Sequence, residues 1–255
     1  MLTTLIDDKS LGRADAPETL LDFWRGALAR LEDHPSLANP DMNRELVAKG
    51  FWQDPVAIQV LLCSRASHDA LAGCEGALGV HLVSTPDGDP FGDDAAFARQ
   101  YRVLAVSDRS EFLSLTEDLA KDDDYPEIHL HEYLKSYLNT VFHEIAHALL
   151  FAENAALLPP SEIECMSNAG EFDHDVFDCS TGYGIRPLAI DGQDIWADDM
   201  EEAAELMEIH VEALGRQFMR HALTGDSALE CFPEAFGVAS ELERIIARRD
   251  DPDLA

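Results

Sequence analysis

Thr140-Val141-Phe142-His143-Glu144-Ile145-Ala146-His147-Ala148-Leu149 sets two histidines four residues apart, with a glutamate next to the first. On a helix, residues four apart lie one above the other on the same face, so both imidazoles can share one metal ion. Glu144 stands one step round the helix, where its carboxylate can reach a water on the metal rather than the metal itself. Two neutral imidazole ligands and a nearby carboxylate are what metal-assisted hydrolysis needs.

Leu134, Tyr137, Leu138, Val141, Ile145, Leu149 and Ala152 recur at helical spacing around this motif. Between Lys135 and Glu153 the only charge is Glu144, and there is no Pro or Gly. The spacing predicts a largely buried helix over about 131–152, in which two histidines and one glutamate need partners. The same pattern would also suit a buried helix whose histidines only hydrogen-bond to neighbours. The segment resembles the active-site helix of the zincin metallopeptidases, in its His-Glu-x-x-His pattern and in the uncharged residues around it (Thr140, Val141, Ile145, Ala146, Ala148 and Leu149). The resemblance implies a Zn2+ cofactor, with His143 and His147 as metal ligands and Glu144 as the general base. It also implies an α+β zincin-like fold, in which a small twisted sheet packs on the active-site helix.

Composition narrows the partners. The chain has 255 residues, 50 acidic against 18 basic, and a formal net charge of −32. Such a surface excludes general binding of nucleic acid through its phosphates. It repels anionic membranes and attracts basic partners. A solvated acidic surface accounts for the same composition without any specific partner. Five cysteines, Cys63, Cys74, Cys165, Cys179 and Cys231, show no C-x-x-C pair and read as reduced thiols, which predicts a cytoplasmic protein. Cys165 and Cys179 lack the ligand spacing of a second zinc site. Met1 to Asp8 has no basic region followed by an apolar run, and no uncharged apolar run reaches membrane-spanning length.

Along the chain, Leu20, Leu21, Trp24, Leu28 and Leu31 form one stripe of a helix over 17–33. Asp41 is expected to cap a second helix running to about Phe51. Val56–Cys63 leans toward strand, Gly79–Ser84 and Tyr101–Ser107 are clearer strands, and 111–120 is a short helix. The irregular stretch 160–197 is long enough to be functional or partly disordered. A long helix from about Asp198 to Ala222 and a short one over 235–249 follow. The chain is thus expected to be mainly helical at both ends. It divides into an N-terminal part, 1–100, with the first strands, and a metallopeptidase core, 101–255, or forms one continuous domain. Strands before the motif helix and helices after it match the zincin order, and the resemblance gives Tyr101–Ser107 the place of the edge strand that holds substrate by strand addition.

A catalytic zinc site generally has three protein ligands and an open position. In the metzincin branch the third ligand follows the second His by six residues, after a chain-turning Gly. Glu153 has that spacing, but Leu150 stands where the Gly would be, and six residues along an unbroken helix turn Glu153 away. The gluzincin branch takes a Glu from a later helix, with a small residue at +3, an acid or amide at +4 and apolar or small residues at +6 and +7. Glu208 matches at Glu212, Leu214 and Gly215, while Val211 at +3 is larger than the pattern prefers. With Glu208 as the metal ligand, Glu212 would accept the free N–H of a ligand histidine. Glu212 itself, with Gly215 at +3, is the alternative ligand, and Glu201, with Ala204 and Glu205, a third. An oxyanion donor is expected from Tyr183, His174 or His210. Asp173, Asp175 and Asp178 do not complete a calcium-loop spacing.

The function these residues point to is zinc-dependent hydrolysis of peptide bonds in a protein or peptide substrate. The alternative is a catalytically silent acidic protein of the same fold that mimics DNA or sequesters a basic partner.

Overall fold

A computed structural model describes residues 2–6, 18–48, 56–72, 79–83, 101–106, 109–122, 125–157, 188–190, 193–195, 200–223, 232–236 and 238–250. The elements in chain order are β1 (Leu2–Ile6), α1 (Glu18–Leu31), α2 (Pro40–Ala48), β2 (Ala57–Cys63), α3 (Arg65–Ala72), β3 (Gly79–Val83) and β4 (Tyr101–Val106). They continue with α4 (Arg109–Asp122), α5 (Pro126–Leu157), β5 (Leu188–Ile190), β6 (Gln193–Ile195), α6 (Met200–Ala222), α7 (Phe232–Ala235) and α8 (Ala239–Asp250).

Four strands form a mixed sheet in the order β1-β2-β4-β3. β1 runs parallel to β2 and β2 parallel to β4, with Val60 opposite Val103, while β3 runs antiparallel to β4. β2 is buried at every position but Gln59. Its near-continuous apolar run is what an interior strand covered on both faces requires. Two expectations change here. Tyr101–Val106 is an interior strand, hydrogen-bonded on both sides, so the edge position falls to β3, Gly79–Val83. Leu2–Ile6, read only for the lack of a leader pattern, is a strand, and five residues without turn or helix punctuation gave no stronger signal. One sheet therefore takes strands from both sides of residue 100.

The second helix begins two residues earlier than expected, at Pro40, and its cap is Asn39. The Asn39 Oδ1 accepts from the backbone N–H groups of Asp41 and Met42 at 3.1 and 3.2 Å, with Pro40 in the first helical position. Asp41 instead pairs with Arg44. Asn43 Oδ1 then accepts from the Val56 N–H at 3.0 Å and ties α2 to the entry of β2.

α5 is the hub. Its 32 residues pack on α6, on β3 and β4, and on α2, α4 and α7. Pro126 at its first turn fixes the start. Leu134, Tyr137, Leu138, Val141, Phe142, Ile145, Ala146 and Leu149 are fully buried. Trp24 of α1 lies against Phe142 (centroids 5.7 Å apart) and Tyr137 (6.4 Å), and Tyr137 meets Phe112 and Phe236 edge to face. These contacts lock the helix in rotation as well as position, because aromatic pairs favour particular relative orientations.

Beyond β2, Ser64 Oγ accepts from the Ser67 N–H and caps α3. Arg65 holds both carboxylate oxygens of Glu111, at 3.1 and 2.5 Å, and joins α3 to α4. His68 behind them is fully buried, with Nε2 unpartnered among the described residues. Burial pushes its pKa down despite Asp69, so the folded state holds it neutral. Unfolding releases it to its ordinary value of about 6.5, so the unfolded chain binds the extra proton and stability falls as pH drops below that value. Measured with chelator present, the melting temperature of His68→Leu should fall less from pH 7.5 to 5.5 than that of the wild type. Parallel curves would show that His68 does not titrate this way.

Candidate metal centre

The motif helix runs unbroken through His143 and His147, as its apolar spacing and lack of Pro and Gly require. α6 forms because Val211, Leu214 and Phe218 give it an apolar stripe, all three buried, with Glu208 and Glu212 on its flank. The two helices cross in opposite senses, since His143 lies by Gly215 and Glu212 whereas the later His147 reaches back to Glu208.

Gly215 decides how near they come. A Cβ built there would stand 2.9 Å from His143 Cα and 3.0 Å from His143 N. The close approach expected of a small residue at +3 from Glu208 is made at +7 instead, and Val211 is simply buried core.

Three donor groups converge as a result. His143 Nε2 and His147 Nε2 are 3.0 Å apart. Glu208 Oε1 is 3.2 Å from His147 Nε2, and Glu208 Oε2 is 3.4 Å from His143 Nε2. Among the described residues, this is the one group of three or more metal-ligating side chains whose ligand atoms come together, all within 4.8 Å. Tetrahedral zinc with bonds of about 2.0–2.1 Å sets its ligands about 3.3–3.4 Å from one another. The observed spacings agree to within a few tenths of an ångström. Two imidazoles and one carboxylate are also a donor set that zinc accepts. His147 is buried and His143 one-fifth exposed, while Glu208 is nearly half exposed, so the centre opens to solvent on the α6 side.

Electrostatics follow from the packing. Burial alone would lower the pKa of His143, but the hydrogen bond to Glu208 and the charges of Glu144, Glu208 and Glu212 outweigh it and raise the value. Hydrogen bonds from His143 and His147 hold Glu208 well below the usual carboxylate range. The carboxylate is therefore ionised, as a ligand must be. Glu212 Oε2 stands 3.4 Å from His143 Nδ1, the position expected for an acceptor of that N–H, and its Oε1 is held by Arg216.

Glu144 is partly buried, and its charge reaches His143. Glu153 lies further along the same unbroken α5 and has no part in the converging group. Glu201 and Glu205 lie in α6, with side chains outside the described set, and His210 is a partly buried neighbour in α6 that is not in the group. Tyr183, His174, Asp173, Asp175, Asp178, Cys165 and Cys179 lie outside the described residues.

No family model, curated protein or solved structure matches the chain. The site thus rests on its own geometry. Among the described residues, no helix is long and apolar enough to cross a membrane.

Proposed function

We propose that this chain is a zinc-dependent metallopeptidase of the His-Glu-x-x-His type, with a gluzincin-like arrangement of ligands. The observation that carries the reading is the convergence of His143 Nε2, His147 Nε2 and the Glu208 carboxylate at 3.0–3.4 Å from one another. Zinc bound there would lower the pKa of a water and polarise the scissile carbonyl. His143 and His147 would offer their Nε2 lone pairs and Glu208 a carboxylate oxygen, while Glu212, 3.4 Å from His143 Nδ1, would accept that N–H and keep the ring turned. Glu144 takes a proton from the attacking water and returns it to the leaving amine nitrogen. The mixed sheet beside the motif helix supports a zincin-like α+β fold. β3, packed on α5, becomes the edge along which a peptide would add as a strand. The net charge of −32 favours basic protein substrates by steering their approach.

Metal analysis with a cleavage assay tests this. Wild-type protein purified without chelator should carry about one zinc per chain, and His143→Ala and His147→Ala should carry none. Glu208→Ala should release zinc to a mild chelator, because a direct bond is lost. Glu212→Ala should hold it about 10–100-fold less tightly than the wild type yet still bind. The reverse order would transfer the ligand role to Glu212. Full occupancy in both histidine variants would end the assignment. Zinc in the wild type without cleavage of acidic, neutral or basic proteins would leave an acidic binding protein built on the same centre.

A further inference from the structure

Arg216 is one of only 18 lysines and arginines against 50 acidic residues, and it pairs with Glu212, which faces His143. Its Nε and Nη2 both point at the same oxygen of Glu212, Oε1, at 2.8 and 2.5 Å. A guanidinium facing a carboxylate side-on normally engages both oxygens. Here one oxygen takes both N–H groups, and Oε2 is left to face His143 Nδ1 at 3.4 Å. Arg216 follows Glu212 by four residues, the favourable order for a helical ion pair. Glu212 is more than one-third exposed, so without a second contact its side chain would distribute over several rotamers.

We infer that Arg216 is a positioning residue for the metal centre: by holding Glu212 Oε1 it keeps Oε2 on His143 Nδ1, and so keeps His143 Nε2 aimed at the point shared with His147 and Glu208. This rests on the metallopeptidase reading of the same site. An exposed ion pair of this kind contributes little to folding. Its effect lies in the orientation of one ring, and it is read in metal affinity rather than in stability. Its positive charge works the other way, since removing it makes the site more negative. At that remove, through solvent and salt, the charge changes zinc affinity by about twofold or less.

The test is zinc affinity of the full chain, measured by competition with a chromophoric chelator, for Arg216→Ala, Arg216→Lys, Glu212→Ala and the double variant Glu212→Ala/Arg216→Ala. Arg44→Ala, which breaks an exposed pair in α2, controls for the loss of one positive charge. Arg216→Ala should bind zinc about three- to tenfold more weakly, a fraction of the about 10–100-fold expected on losing the acceptor itself. Arg216→Lys should recover most of the loss. Arg44→Ala should match the wild type. In the Glu212→Ala background, removing Arg216 should change affinity by about twofold or less. Melting temperatures of the zinc-free proteins should agree, which separates orientation from folding. Equal affinity of Arg216→Ala and wild type overturns the inference and leaves the metal centre standing. An equal loss in the Glu212→Ala background overturns it too. Wild-type protein that takes up no zinc overturns both.

Discussion

Glu144→Gln should retain its zinc and lose peptide hydrolysis by about a hundredfold or more, the usual scale for removing a general base. That corresponds to about 2.7 kcal/mol or more on the barrier, at 1.36 kcal/mol per tenfold. The amide matches the carboxylate in size, so the packing around α5 need not change. It cannot accept a proton from water at neutral pH. Because the charge of Glu144 helps to hold a proton on His143, the variant also makes His143 easier to deprotonate, which opposes any loss of zinc. The pair of measurements is metal content and turnover of an unstructured protein such as casein. Cleavage at the wild-type rate would remove Glu144 from the chemistry, and loss of zinc together with activity would make it structural.

Gly215→Ala should weaken zinc binding by about tenfold or more and lower the melting temperature, although helix propensity predicts the opposite. Ala in place of Gly inside a helix is worth about 1 kcal/mol in its favour. Against that stands a methyl group 2.9 Å from His143 Cα, 3.0 Å from His143 N and 3.3 Å from the Phe142 carbonyl carbon. All three are backbone atoms of α5, and none can rotate aside. Overpacking of this kind typically costs about 1–3 kcal/mol. The remedy is to part the helices, and that carries Glu208, two turns along α6, away from His143 and His147. Chelator competition and thermal melts together decide it. A variant that melts higher with unchanged zinc affinity would show that the contact gives way without moving the donors.

Much of this centre was written in local spacing. The i, i+4 histidines, the apolar repeat of α5 and the spacing of Glu208 from Glu212 and Gly215 are all local, and one sequence displays them. The order of strands does not, because pairing depends on contacts distant in the chain. Tyr101–Val106 read as an edge strand and lies between two others, and Leu2–Ile6 carried too little pattern to be seen as a strand. Asn39 took the cap expected of Asp41, since Pro40 suits the first helical position and the Asn39 side chain reaches the next two free N–H groups. The Val211 mismatch has a similar reason. A sequence pattern records which residue is small, and only the crossing of two helices decides where smallness matters. The Glu212–Arg216 pair had the spacing of a helix surface ion pair, and nothing in the chain alone showed that its second oxygen meets His143.

The donors come from helices roughly sixty residues apart in the chain, and both are anchored by their own burial in the core. A metal ion shared between them would act as a clasp between distant parts of the chain. Loop closure depends only weakly on length, each doubling costing about 0.6 kcal/mol. The length of chain between α5 and α6 therefore has little weight in the cost of closing such a clasp. Such a centre would fix its two helices against each other whatever the length of chain that joins them.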